Sequence, residues 1–169
     1  MISEKRLLDI YRRVYAKPGF VLTLKILDAL AVFYVAGVFV YGISVLLYAG
    51  IYVYALKLAA MAAIPFLILS VMRLLVNAQR PYEVYDIEEF SGMREKRKKG
   101  RSFPSRHVFS AFLIGVLWIP YSPAFGIAAL VLGVFLAAER VLLGIHFVKD
   151  VAAGAAIGVL SGLIGVLIL

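Results

Sequence analysis

Two histidines, His107 and His146, are the whole imidazole supply of this chain. His146 and Asp150 are four apart, so on one helical face the carboxylate can take one ring N–H and leave the other nitrogen free to attack an electrophile. His107 can then protonate a departing oxygen, because imidazole titrates near neutral pH. Arg73, Arg80 and Arg140 can hold phosphate oxygens through bidentate, charge-assisted hydrogen bonds. Pro104 suits the first turn of a helix, which turns the free N–H groups near Ser105 and Arg106 toward an anion. Together these residue types point to phosphoryl transfer. Taken singly they are weaker: an arginine at a helix end often only anchors it, and Asp150 can be an N-terminal helix charge favoured by the dipole.

The elements that must position these residues are membrane helices. The 169 residues are 63% hydrophobic and only 17% charged, with a mean hydropathy of +0.95. A soluble domain of this size needs more polar surface, whereas lipid solvates apolar helix faces directly. The reading is one all-α domain over residues 1–169, a polytopic transmembrane helix bundle. Residues 1–18 read as an amphipathic helix on the membrane surface, with Lys5, Arg6, Arg12, Arg13 and Lys17 beside apolar residues. They lack the early apolar core and small-residue cleavage site of a signal peptide. Spans follow at about 20–48, 53–76, 104–118, 124–142 and 147–169, the second with Pro65 inside it and the third short for a hydrocarbon core. Five spans are preferred, with six as the alternative. Lys25 and Asp28, three apart, are expected to pair on one face of the first. Gly154, Gly158 and Gly162 recur every four residues, which suits close helix packing within the protein.

Residues 77–103 form the one long polar segment. The run Arg94 to Arg101 reads as a solvated, topology-setting loop that meets anionic lipid. Tyr82, Tyr85 and Phe90 read as an interfacial belt, and Glu83, Asp86, Glu88 and Glu89 as solvated carboxylates. Following the spans brings Arg73 to Pro81, Pro104 to His107 and Glu139 to Asp150 to one side of the membrane. Ionisable residues meeting at membrane depth are costly and read as a site.

Three segments carry a family resemblance: Arg73-x6-Arg80-Pro81, then Pro104-Ser105-Arg106-His107, then Glu139-Arg140-x5-His146-x3-Asp150. In order and spacing they resemble the signature of the type-2 phosphatidic acid phosphatase and vanadium haloperoxidase superfamily, Lys-x6-Arg-Pro, Pro-Ser-Gly-His and Ser-Arg-x5-His-x3-Asp. The resemblance covers the catalytic half. It implies that His146 forms a phosphohistidine, Asp150 orients it and His107 is the acid. It also implies that Arg80, Ser105 and Arg140 bind phosphate, with Arg73 where the family has Lys, and that neither a metal nor another cofactor is needed. Arg106 stands for Gly and would add a cation to the phosphate cradle, while Glu139 stands for Ser. These two departures are expected to pair, so that Glu139 modulates the site without repelling phosphate.

The function expected is an integral-membrane lipid phosphatase acting on phosphatidic acid, phosphatidylglycerol phosphate, or a polyprenyl phosphate or diphosphate. A phosphotransferase using the same phosphohistidine and a non-catalytic lipid-binding or transport protein are the alternatives. Nucleic acid is not an expected partner: the net charge of +8 beside membrane spans reads as topology and anionic lipid. Of 18 basic residues only Lys57 falls opposite the three segments. The site is therefore expected on the cytoplasmic side of a prokaryotic cell membrane, with the extracytoplasmic side as the alternative.

Overall fold

Long apolar segments fold as helices in lipid because a helix satisfies every backbone N–H and C=O internally. The computed structural model describes residues 4–85, Ile87 and residues 99–169, and helices are the regular structure there. They are α1 (Glu4–Tyr15), α2 (Pro18–Tyr48), α3 (Tyr52–Val76), the one-turn α4 (Pro81–Val84), α5 (Arg106–Trp118), α6 (Pro123–Leu142) and α7 (Val148–Ile168). Most of the run from Arg94 to Arg101, with Asp86, Glu88, Glu89 and Phe90, lies outside the described residues.

Among the described residues α2, α3, α6 and α7 are long and apolar enough to cross a membrane. With α5 they match the five expected spans, and residues 18–76 hold two helices rather than the three that a sixth span requires. Pro18, Pro81 and Pro123 each begin a helix, where a missing N–H leaves no bond unmade. Pro104 does not. Helix α5 starts at Arg106 with Ser105 as its N-cap, and the Ser105 N–H donates to the Asp150 carbonyl at 2.9 Å. The free N–H groups of the first turn therefore begin at Arg106 rather than at Ser105.

With 13 residues, α5 is about 20 Å long, short of a ~30 Å hydrocarbon core. It is the centre of the bundle, packed by α2, α3, α6 and α7, with Val108, Phe109, Ala111, Leu113 and Leu117 buried. The glycine stripe of α7 lies against it. A Cβ on Gly154 would stand 2.6 Å from the Ser105 carbonyl oxygen, and one on Gly158 would stand 2.5 Å from that of Phe109. The stripe thus serves packing within the chain, and it sets α7 close enough for its first turn to reach the loop before α5.

Helix α1 packs on the end of the bundle that carries the three segments. Tyr11 is buried with Tyr82 and Ile87, and the Tyr15 hydroxyl donates to the Leu143 carbonyl at 2.9 Å. Tyr82 is therefore a packing residue rather than part of an interfacial belt. Burial pushes the Tyr11 phenol up to about 12. Gly144 turns the chain between α6 and α7 at φ +62°, and a Cβ there would meet Ile87 at 2.7 Å.

Candidate active site

The loop 143–147 carries His146 to the mouth of α7, whose first turn holds Asp150. The side chain of His146 is 3% exposed and Asp150 is fully buried. The His146 Nδ1 to Asp150 Oδ2 distance is 3.5 Å, long for a hydrogen bond, and the Ser102 hydroxyl lies to the side of the pair, in reach of both atoms. Ser102 Oγ donates to Asp150 Oδ2 at 2.5 Å and lies 3.2 Å from His146 Nδ1, from which it can accept. Asp150 Oδ2 also accepts the Phe147 N–H at 3.0 Å. A proton held on Nδ1 leaves the Nε2 lone pair free, the state a nucleophile requires. Burial pushes the His146 imidazole below its ordinary value, against the neighbouring Asp150 carboxylate, which raises it.

The first two arginines are tied into the loop. Arg73, on the last turn of α3, is buried and donates from Nη1 to the carbonyls of Ser102, at 3.1 Å, and Pro104, and from Nη2 to that of Arg101. Arg80 donates from Nε to the Gly100 carbonyl at 3.0 Å and from Nη1 to the Ile145 carbonyl at 3.3 Å. Glu83 accepts the Gly100 N–H at 2.6 Å, so it too is a loop contact rather than a solvated carboxylate. These bonds hold the segment with Ser102 and Ser105 against the turn with His146. Ser105 is fully buried, and its hydroxyl has no partner among the described residues.

Arg140, at the end of α6, reaches a partner the sequence reading did not assign. Its Nη2 lies 2.5 Å from Asp28 Oδ1 on α2, and its Nε lies 3.3 Å from Glu139 Oε2. Asp28 therefore serves Arg140. The expected pair of Arg106 with Glu139 does not form: Glu139 is buried beside Arg140, whereas Arg106 lies over the Phe66 ring at 5.8 Å. They belong to different helices that turn these side chains to different neighbours.

Arg106 and His107 open onto a cleft of about 450 Å³ between α2, α3, α5 and α6. Ser110 completes its polar end; Val32, Val35, Phe39, Phe66 and Leu136 give it apolar walls. His107 also lies within electrostatic range of Arg140 and His146. One end of the bundle thus gathers the nucleophile candidate, the acid candidate and the arginines. Among the described residues no three His, Asp or Glu side chains are grouped as metal ligands.

A family model described as the PAP2 superfamily matches residues 54–169. The chain belongs to this superfamily. The bacitracin transport permease protein BcrC of Bacillus licheniformis is 44% identical over 62 residues, covering 37% of this chain and 30% of that protein. No solved structure matches.

The PAP2 match begins after α2, so Asp28 lies ahead of it. Sequence reading missed two site residues. Ser102 carried no signal of its own, since it is 44 positions from His146 and 48 from Asp150. Asp28 did carry one, as a carboxylate in a long apolar helix, which calls for a partner within the bundle.

Proposed function

We propose that this PAP2 protein is an integral-membrane lipid phosphatase that cleaves a phosphate ester or diphosphate through a phosphohistidine on His146. The observation that carries the reading is the buried group of His146 Nδ1, Ser102 Oγ and Asp150 Oδ2, which supports a proton on Nδ1 and so a lone pair on Nε2 for attack on phosphorus. Arg80, Arg140, Ser105 and the N–H groups that open α5 bind the phosphate oxygens. Arg73 adds positive charge and holds the loop in place. His107 protonates the leaving oxygen and then takes a proton from the water that hydrolyses the phosphohistidine. The reaction needs no metal. The protein works in a prokaryotic cell membrane with its site toward the cytoplasm, and its basic loop meets anionic lipid there.

The test is inorganic phosphate release by the purified protein from phosphatidic acid, phosphatidylglycerol phosphate, and polyprenyl phosphate and diphosphate in mixed micelles. His146→Ala is expected to lower the rate by at least ~1,000-fold, the scale seen when a catalytic nucleophile is removed. Equal rates in wild type and His146→Ala would overturn the role of His146. A second reading, a lipid-binding or transport protein without turnover, draws on the transport named in the BcrC relative. Saturable lipid binding by wild type with no phosphate release from any lipid would select it. Transfer of the phosphate to an added alcohol rather than water would select a phosphotransferase.

A further inference from the structure

We propose that Glu139 is a positioning residue for Arg140 that takes up one proton as the substrate's phosphate binds, so that phosphate capture draws a proton into the site. This rests on the phosphatase reading above, in which Arg140 holds phosphate oxygens. Two carboxylates share that one guanidinium. Arg140 Nη2 lies 2.5 Å from Asp28 Oδ1, and its Nε lies 3.3 Å from Glu139 Oε2. The contacts differ in kind. The first is a hydrogen bond, whereas neither Arg140 Nε nor Glu139 Oε2 has a hydrogen-bond partner among the described residues. The Glu139 side chain is 1% exposed and that of Asp28 is 22% exposed. Glu139 therefore stands beside a cation without bonding to it, in the deeper of the two positions.

Among the described residues the charges acting on Glu139 come from Arg140 on its own helix and from Asp28 and Lys25 on α2, with none from α1, α5 or α7. Lys25 is exposed, so its charge is screened. Arg80 and, on α5, His107 lie within electrostatic range of Arg140. A phosphate on Arg140 thus brings a third anion to a guanidinium that already faces two carboxylates, and in a poorly hydrated setting like charges repel strongly. A proton on one carboxylate relieves that repulsion. Glu139 is the one to take it, because a buried carboxylate without a hydrogen bond is costly to keep charged, while Asp28 keeps its charge-assisted bond to Nη2. The proton comes from solvent past Asp28, the less buried of the pair, stays on a Glu139 carboxyl oxygen while phosphate is held, and returns to solvent when inorganic phosphate leaves. Over a turnover it is neither gained nor lost.

The sign of the pH dependence follows. The phosphate-bound protein carries one proton more than the free protein, so binding weakens as pH rises, by up to about tenfold per pH unit for one proton.

The experiment follows KM and kcat from about pH 5.5 to about pH 8.5, across the range above the ordinary glutamate value. It uses the purified full chain with Glu139, Glu139→Gln, Glu139→Asp or Glu139→Ser, on the lipid of the panel above that wild type cleaves fastest. Titration of the substrate, His146 and His107 is common to these proteins and cancels in the ratio of wild-type KM to Glu139→Gln KM. That ratio is expected to rise about tenfold from the acid to the alkaline end, where the amide binds phosphate better than the wild-type carboxylate, while kcat keeps one pH shape in both. Glu139→Asp should retain the rise, and Glu139→Ser should lose it as Glu139→Gln does. A ratio that stays constant with pH, the result of a contact that serves packing alone, overturns the proposal and leaves the phosphatase reading intact. Release from no lipid of the panel by wild type, or an equal rate in His146→Ala, overturns the phosphatase reading and the proposal with it.

Discussion

Ser102 places its hydroxyl 3.2 Å from His146 Nδ1, beside the Asp150 carboxylate oxygen at 3.5 Å. Bonded to Asp150, the hydroxyl can accept from Nδ1 and so favour the tautomer with its proton there, beside the Asp150 charge itself. Ser102→Ala removes this link and leaves two buried polar groups with a poorer contact. We expect kcat to fall by about tenfold with KM nearly unchanged, because Ser102 is fully buried and does not line the cleft; a large rise in KM with kcat preserved would refute that role. His146 also sets a pH dependence. Its imidazole is held below the ordinary value by burial, so it stays neutral as pH falls through about 6.5. The acid limb of kcat/KM that belongs to His146 is therefore expected below that pH, and finding it at or above 6.5 would contradict the burial effect. Stability follows the same sign: the unfolded chain takes up the proton first as pH falls, so this group costs stability at acid pH and nothing above 6.5.

At the scale of elements, the chain's own helix α2 enters a site whose other parts lie within the PAP2 match. Asp28 pins one edge of the Arg140 guanidinium and Glu139 lies beside another, which directs the remaining donors. Asp28→Ala is expected to raise KM for the lipid phosphate about threefold to tenfold with little change in kcat, and Asp28→Asn, which still offers an acceptor oxygen, should fall between it and wild type. Steady-state kinetics separate the two parameters, and an unchanged KM in Asp28→Ala would remove α2 from the site. The helices themselves were legible because hydropathy is local: the boundaries read from apolar runs lie within about two residues of those observed for α2, α3, α5, α6 and α7. The motif residues were legible because their spacing is short-range. Partners were not. Arg140 and Asp28 are 112 positions apart, and nothing in a run of apolar residues tells which face of α2 turns toward α6. The same blindness produced the expected pair of Arg106 with Glu139, two departures from one motif set that pack against different helices.

For the whole molecule, polarity is divided end from end. Helix α1, Arg73, Arg80, the loop at 99–105 and the α6–α7 turn converge at the site end, where Tyr15 bonds to Leu143 and Tyr82 to Gly144. The turns at 49–51 and 119–122 lie at the other end, and there Lys57 donates to the Ile168 carbonyl at 3.2 Å. Because translocation disfavours lysine and arginine, the charge asymmetry predicts that the site end stays in the cytoplasm. The chain has no cysteine, so single introduced thiols report without background. Exposed Tyr48 and Tyr121 mark the far end; exposed Arg13 and Lys99 mark the site end. In intact cells a membrane-impermeant thiol reagent is expected to label Tyr48→Cys and Tyr121→Cys, and to reach Arg13→Cys and Lys99→Cys only after permeabilisation. The reverse pattern would turn the site outward and require that the charge asymmetry be overridden during insertion. Labelling of Arg13→Cys and Lys99→Cys from opposite sides would separate α1 from the site loop and break the five-crossing path itself.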